Sequence, residues 1–176
     1  AGNSSRLPSD HSNITPPGDV KEALTCGAVN KDRKLSYFSS KGDPDGSTHP
    51  YISDEPDCVL PGEAIVAAFS RDCKDNKGIR KKTEISMSGT SMAAPFGAGI
   101  AGLIISYLKH HNPDYQRNPN LVKRIIKQGS CRDNFDRHYD SWEVGAGLPS
   151  VKKIFRYLEK EYPQSETRKP ATPNQA

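Results

Sequence analysis

The sequence has few large apolar residues, little charge imbalance and no long apolar run. Leucine, isoleucine, valine and phenylalanine together supply only 32 of its 176 residues, a share below the roughly 20% that accompanies disorder in highly charged chains. The net charge is only +4, from 25 basic and 21 acidic residues, which excludes wholesale disorder and gives no sign of a nucleic-acid-binding surface. A folded chain with so few apolar residues has long surface loops or is a piece of a larger core, and we favour the second.

The longest stretch without a charged residue, 85–108, is interrupted by serines, glycines and a proline. A membrane-spanning helix needs about 20 predominantly apolar residues. We therefore predict no membrane span and assign this stretch to a loop followed by a buried helix.

Cysteine is also scarce. The four cysteines form no CxxC pair and have no Cys/His spacing typical of a zinc site; they are Cys26, Cys58, Cys73 and Cys131. Two disulfides in an exported protein and four thiols in a reducing compartment both stay open.

Apolar periodicity and turn residues predict an alternation of short strands and helices. The predicted strands are 23–29, 35–39, 58–60, 65–69 and 83–87, and the predicted helices are 91–110, 121–128 and 149–162. Alanines and glycines fill the first half of the helix 91–110, so we expect that half to be buried all round. Residues 163–176 are polar and rich in proline, which predicts a disordered tail or linker.

The most informative segment places a serine where a tight turn enters a helix. Gly89 removes side-chain bulk beside Ser91, so that a peptide can approach it. The helix directs its first N–H groups and its dipole towards an oxygen that becomes negative during acyl transfer. Ser91 is therefore a candidate nucleophile, and the alternative for it is a simple helix cap.

The segment 88–95, SGTSMAAP, resembles the nucleophile motif of the subtilisin-like serine proteases. Other segments resemble the same family in the same order: AGNS at 1–4, LTCGAV at 24–29, SYFSSKG at 36–42, DCVLPG at 57–62 and GAGLPSV at 145–151. The resemblance covers about residues 1–158. It departs from many members at Phe96, where they have a histidine that is not the catalytic one.

The resemblance implies an α/β fold, part of a three-layer subtilisin-like domain with a mostly parallel sheet flanked by helices. It implies a serine endopeptidase acting on peptides or proteins, in which Ser91 attacks the scissile carbonyl. The Ser91 N–H and the Asn3 side-chain amide would hold the oxyanion, with Thr90 in support. Gly2 and Gly18 are the candidates for lining the substrate pocket.

In this family the catalytic aspartate and histidine precede the oxyanion asparagine. None of the five histidines lies in a context typical of the catalytic one. We therefore expect an upstream segment of the same enzyme to supply both groups, and we expect residues 1–162 to be the C-terminal portion of a peptidase domain, inactive and unstable alone.

The resemblance implies no required cofactor. Many family members bind a stabilising Ca²⁺, and the acidic loop 43–57 is a candidate for one, although its spacing matches no EF-hand. We assign no metal ligands. The compartment stays undetermined, with a secreted or extracytoplasmic protein slightly favoured.

Two other functions stay open. Residues 89–93 nearly match the Gly-x-Ser-x-Gly elbow of α/β-hydrolase esterases, in which the acid and the base follow the serine; here Asp133, Asp136 and His138 do so. The second is a catalytically inactive, subtilase-like binding module whose upstream part lacks the acid or the base.

Overall fold

The computed structural model describes residues 1–5, 12–44, 56–69, 83–112, 115–133 and 135–163. Within them, six strands and four helices follow one another in an α/β order. The strands are β1 (Cys26–Val29), β2 (Cys58–Pro61), β3 (Ile65–Ala68), β4 (Glu84–Met87), β5 (Ser130–Cys131) and β6 (Leu148–Pro149). The helices are α1 (Thr90–His111), α2 (Pro119–Gln128), α3 (Ser141–Val144) and α4 (Val151–Glu161).

The parallel pair of β1 and β2 lies at the centre of the described structure. Cys26 pairs with Cys58 and Val29 with Pro61, and the pair is buried on both sides, as its short apolar runs predict. Helices α1, α2 and α4 pack together on one face. On the other face, Val59 packs with Val144 of α3 and with Tyr139. The result is three layers of structure around one pair of parallel strands.

The other two strand pairs are antiparallel, β3 with β4 and β5 with β6. The strands predicted at 58–60 and 65–69 both exist, but they pair with different partners rather than with each other. The strand predicted at 35–39 is wrong, since only Leu35 forms a bridge, with Val29. Side-chain bonding explains this, because the Ser39 hydroxyl accepts the Ala28 N–H at 3.0 Å in place of a backbone carbonyl.

The longest helix, α1, crosses the parallel pair and ends at Asn112. The expectation that its first half is buried all round is wrong: Ala93 and Gly97 are buried, whereas Phe96 is 43% exposed. The strands and helices cover one side of α1, and no element among the described residues covers the other.

By length and composition alone, α1 could also cross a membrane. The core helix of a soluble protein passes the same test. Here α1 packs on one side against β1, β2, α2 and α4, and 22% of its most apolar stretch is buried.

A buried carboxylate connects α2 to the start of β2. Asp57 is 1% exposed and accepts the Thr25 N–H at 2.8 Å. Its two oxygens lie 2.8 Å from Lys123 Nζ and 3.3 Å from Lys127 Nζ. Because both oxygens face ammonium groups, Asp57 does not fit a calcium ligand, and most of the acidic loop proposed for Ca²⁺ lies outside the described residues.

A second buried carboxylate fixes α3. Glu143 lies 2.9 Å from Lys41 Nζ and 3.4 Å from Arg137, and it closes a capping box with Asp140. Burial by itself would raise the pKa of the Glu143 carboxyl, but the hydrogen bonds from Lys41 and Asp140, with the charges of Lys41 and Arg137, hold that pKa below its ordinary value.

Three of the four cysteines, Cys26, Cys58 and Cys131, are buried thiols. Cys73 lies outside the described residues, and so does the predicted tail from residue 164 onwards. For these three residues the structure favours the thiol alternative over disulfides.

Candidate active site

Ser91 is the second residue of α1 and is exposed at its N-terminal end. The turn before it is fixed by the Gly89 N–H, which donates to the Gly62 carbonyl at 2.7 Å. A Cβ on Gly62 would lie 2.7 Å from the Ala28 Cβ, so glycine lets this turn approach β1. The first N–H groups of a helix have no intrahelical partner. The Ser91 hydroxyl therefore stands at the positive end of a 22-residue helix. On either side of it, the Thr90 N–H donates to Asn3 Oδ1 and the Met92 N–H donates to the Gly89 carbonyl.

Asn3 lies against this helix start with its side chain in a fixed orientation. Its Oδ1 accepts the Thr90 N–H at 2.9 Å and the Thr90 hydroxyl at 3.2 Å. A backbone N–H can only donate, so the side-chain atom facing it must be the oxygen. The other atom, Nδ2, lies near Gly89, where a Cβ would be 3.3 Å from it. Asn3 therefore presents an N–H₂ donor beside the turn that carries Ser91.

Thr90 has a more specific place than its sequence position indicated. Its hydroxyl accepts the Gly2 N–H at 3.2 Å while it donates to Asn3 Oδ1. Both hydrogen bonds hold the segment that contains Asn3. In this structure the hydroxyl orients the amide of Asn3 and is not itself directed at a reacting group.

Ser91, Asn3 and Thr90 line one cavity of about 470 Å³. Its walls come from four separate segments, and the other lining residues are Ala1, Gly2, Thr15, Pro16, Pro17, Gly18, Ala23, Leu24, Thr25, Cys26 and Ala94. The structure thus brings all five sequence-predicted site residues to the same cavity.

The wall of that cavity is tight at both glycines, and at Gly2 it leaves no room for a side chain. Gly2 has a φ of 108°, and a Cβ there would lie 2.4 Å from Thr15 Oγ1. A Cβ on Gly18 would lie 3.0 Å from the Thr15 carbonyl oxygen and 3.3 Å from Ala1 Cα. Sequence reasoning missed Thr15 itself, because nothing in its neighbourhood marks it; its N–H donates to the Ala1 carbonyl and so closes the wall.

None of the described histidines lies on this cavity. His110 and His111 are at the opposite end of α1, about 30 Å from Ser91 at 1.5 Å per residue, and His138 lies 3.6 Å from Asp140. His11 and His49 are outside the described residues. Within the part of the chain that the structure describes, no group of three or more metal-binding side chains comes together.

The acids that an esterase elbow would use are engaged elsewhere. Asp133 accepts the Cys131 thiol, and Asp136 accepts the Tyr139 hydroxyl and pairs with Lys34. These partners do not line the cavity that holds Ser91. The arrangement expected for the α/β-hydrolase alternative is therefore not formed around Ser91.

Ser91 thus stands at a helix N-terminus, beside the oriented amide of Asn3, in a helix that packs on the parallel pair of strands. A model of the subtilase family matches residues 1–147. The chain belongs to the subtilase family.

Curated relatives agree with this assignment. The chain is 33% identical over 142 residues to the serine protease AprX of Bacillus subtilis, a match that covers 74% of this chain and 29% of that protein. It is 27% identical over 154 residues to the subtilisin-like protease SBT6.1 of Arabidopsis thaliana, covering 86% of this chain and 14% of that one. The chain therefore spans less than a third of the length of these relatives.

Solved structures share the fold. The CspB protease of Clostridium perfringens superposes with a TM-score of 0.66 at 26% identity, over 86% of this chain and 30% of that one. The self-cleaved protease domain of PatA gives a TM-score of 0.63 at 21% identity, over 91% of this chain and 48% of that one. At 21% identity, the similarity to the PatA domain is evidence for the fold alone.

Proposed function

We propose that these residues form the nucleophile and oxyanion part of a subtilisin-type serine endopeptidase. The observation that carries the proposal is the hydrogen bond from the Thr90 N–H to Asn3 Oδ1, since it turns an amide donor towards the turn that carries Ser91. Membership of the subtilase family supports the reaction class.

In the proposed reaction, Ser91 Oγ forms a bond to the carbonyl carbon of the scissile peptide. A base removes the hydroxyl proton during the attack, and the same proton then passes to the departing amine as the C–N bond breaks. Water next attacks the resulting ester and releases the acyl part with Ser91 restored. The base and its orienting carboxylate come from a segment other than the described residues.

The negative oxygen of the tetrahedral intermediate would lie between the Ser91 N–H and Asn3 Nδ2. Neither donor has to reorganise when charge develops, because the helix fixes the first and Thr90 fixes the second. Thr90 acts here through Asn3.

Gly2 and Gly18 would form part of the pocket that receives a substrate side chain. Both lie on the 470 Å³ cavity that contains Ser91; a Cβ would clash with Thr15 at Gly2 and would make a tight contact with the Thr15 carbonyl at Gly18. The side chains nearest to these glycines, Thr15 among them, would then determine which residue fits before the cleaved bond.

The uncovered face of α1 is the proposed contact for the segment that carries the aspartate and the histidine. Residues 90–108 contain no charged side chain, and Leu103 on this face is 49% exposed. An apolar helix face of this kind is stable when another element covers it. The CspB protease chain, of which this chain covers only 30%, is long enough to contain such an element.

The test is covalent labelling of the full-length protein that contains these residues with a fluorophosphonate probe. We expect labelling in the natural protein and none in Ser91→Ala. We expect Asn3→Ala to slow peptide hydrolysis by roughly 10²–10³-fold, as the loss of one amide donor does in subtilisin itself. Ser88→Ala is the matched control, since Ser88 lies in the same turn and only accepts the Ala64 N–H.

Three other outcomes would contradict this proposal or favour one of the alternatives. Labelling that survives in Ser91→Ala would contradict the assignment of the nucleophile. Peptide binding without any Ser91-dependent labelling would indicate the inactive binding module. Loss of activity in His138→Ala would support the esterase alternative.

A further inference from the structure

Three separate segments meet behind Asn3. They are residues 1–5, residues 12–18 and a support segment formed by residues 38–41. The Ser5 N–H donates to the Phe38 carbonyl at 3.3 Å, and the Asn13 N–H donates to the Lys41 carbonyl at 3.1 Å. The support segment thus joins residues 1–5, which contain Asn3, to the wall of the cavity.

Within the support segment, Ser40 contacts the residues on both sides of Asn3. Its N–H donates to the Gly2 carbonyl at 2.9 Å. Its hydroxyl accepts the Ser4 N–H at 3.0 Å. Ser40 is 0% exposed, so water does not reach its side of either bond.

The bonds from Thr90 and those from Ser40 fix different parts of Asn3. Thr90 holds the side-chain oxygen, which fixes the rotation of the amide. Ser40 holds the backbone before and after Asn3, which fixes the position of the Asn3 side chain relative to Ser91. A catalytic donor has to be held within about 0.5 Å of its productive position by the groups around it.

We propose that Ser40 is a positioning residue for Asn3 in the reaction proposed above, acting through the backbone of residues 2–4. The inference rests on that proposed function. Removing the Ser40 hydroxyl leaves the Ser4 N–H without its acceptor in a place that water reaches poorly. The segment then shifts or loosens, and the amide of Asn3 moves with it.

The neighbouring serine provides a matched control. Ser39 is also 0% exposed, and its hydroxyl also accepts one backbone N–H, that of Ala28 in β1. Ser39→Ala therefore removes the same kind of bond from the same segment. It differs from Ser40→Ala in that the lost bond belongs to the sheet and not to residues 2–4.

The experiment compares Ser40→Ala and Ser39→Ala in the full-length protein with a fluorophosphonate probe. For each variant, the rate at which the bound probe reacts with Ser91 and the constant for probe binding are measured separately. We expect Ser40→Ala to lower the reaction rate about 10- to 100-fold with the binding constant within about twofold, since a small misplacement of a catalytic group has an effect of this size. We expect Ser39→Ala to stay within about twofold in both, with a similar loss of melting temperature.

Amide hydrogen exchange at Ser4 is measured on the same proteins and does not depend on activity. We expect exchange at least about tenfold faster in Ser40→Ala and unchanged in Ser39→Ala. Equal reaction rates in the two variants, or unchanged exchange at Ser4, would overturn the role of Ser40. If the natural protein shows no Ser91-dependent labelling, the proposed function fails, while faster exchange at Ser4 would still support Ser40 as the residue that positions this segment.

Discussion

The two faces of α1 have nearly the same chemistry and very different surroundings. On the covered face, Ile104 and Leu108 are 0% exposed, and the space beside Gly97 is filled by Cys26, Leu24 and Leu60.

On the uncovered face, Phe96 and Leu103 are 43% and 49% exposed. A Cβ on Gly99 or on Gly102 would meet nothing within 4 Å. An apolar helix face is therefore suited to packing against another element, but it is buried only where that element is present.

The largest expected effect on stability is the difference between truncating a leucine on the covered face and truncating one on the uncovered face. Leu108→Ala should lower the free energy of unfolding by about 2–5 kcal/mol, because it leaves a cavity in a packed core. In residues 1–176 alone, Leu103→Ala should change it by less than about 0.5 kcal/mol, since an exposed side chain loses little. Denaturant unfolding measures both, with a stabilising osmolyte present because we expect residues 1–176 to be unstable without the upstream segment.

Repeating this pair in the full-length protein sharpens the comparison. If an upstream segment covers the uncovered face, Leu103→Ala should there become as costly as Leu108→Ala. A small effect of Leu103→Ala in both proteins would argue that this face stays open.

Replacing a helix glycine by alanine should change the stability by a smaller amount, and in opposite directions on the two faces of α1. In residues 1–176 alone, Gly102→Ala should stabilise the chain by roughly 0.5–1 kcal/mol, because alanine favours a helix and the site is empty. Gly97→Ala should destabilise it, because the new Cβ would lie 3.0 Å from the Cys26 sulfur and 3.2 Å from Leu24. Thermal unfolding of the two variants tests the difference.

The full-length protein again provides the contrast. There, a segment packed closely on the uncovered face would turn Gly102→Ala from stabilising to destabilising. Stabilisation in both proteins would show that nothing approaches the backbone at Gly102.

Much of the fold could be predicted from the sequence where the signal is local. The apolar periodicity of α1 and α4 gave their bounds to within two residues, and the turn around Gly89 placed Ser91 at a helix start. The strand at 35–39 was wrong because a hydroxyl, Ser39 Oγ, takes the place of a strand partner.

The candidate site divides in the same way. Ser91 and Asn3 were found because short motifs contain them. The roles of Thr90 and Ser40 depend on bonds between residues 88 and 36 positions apart, and no local pattern reports those. The exposed half of α1 was missed because composition does not show which surface is covered.

The hydrogen bond between the Thr90 N–H and Asn3 Oδ1 has a consequence for the chemical ageing of this protein. Hydrolysis of the Asn3 side-chain amide to aspartate, with release of ammonia, would replace Nδ2 by an oxygen and leave Oδ1 in its place, so the acceptor for the Thr90 N–H would survive. In the reaction proposed above, the donor beside Ser91 would then become a negatively charged acceptor, which repels an oxyanion. A stored preparation would then lose activity while keeping its melting temperature.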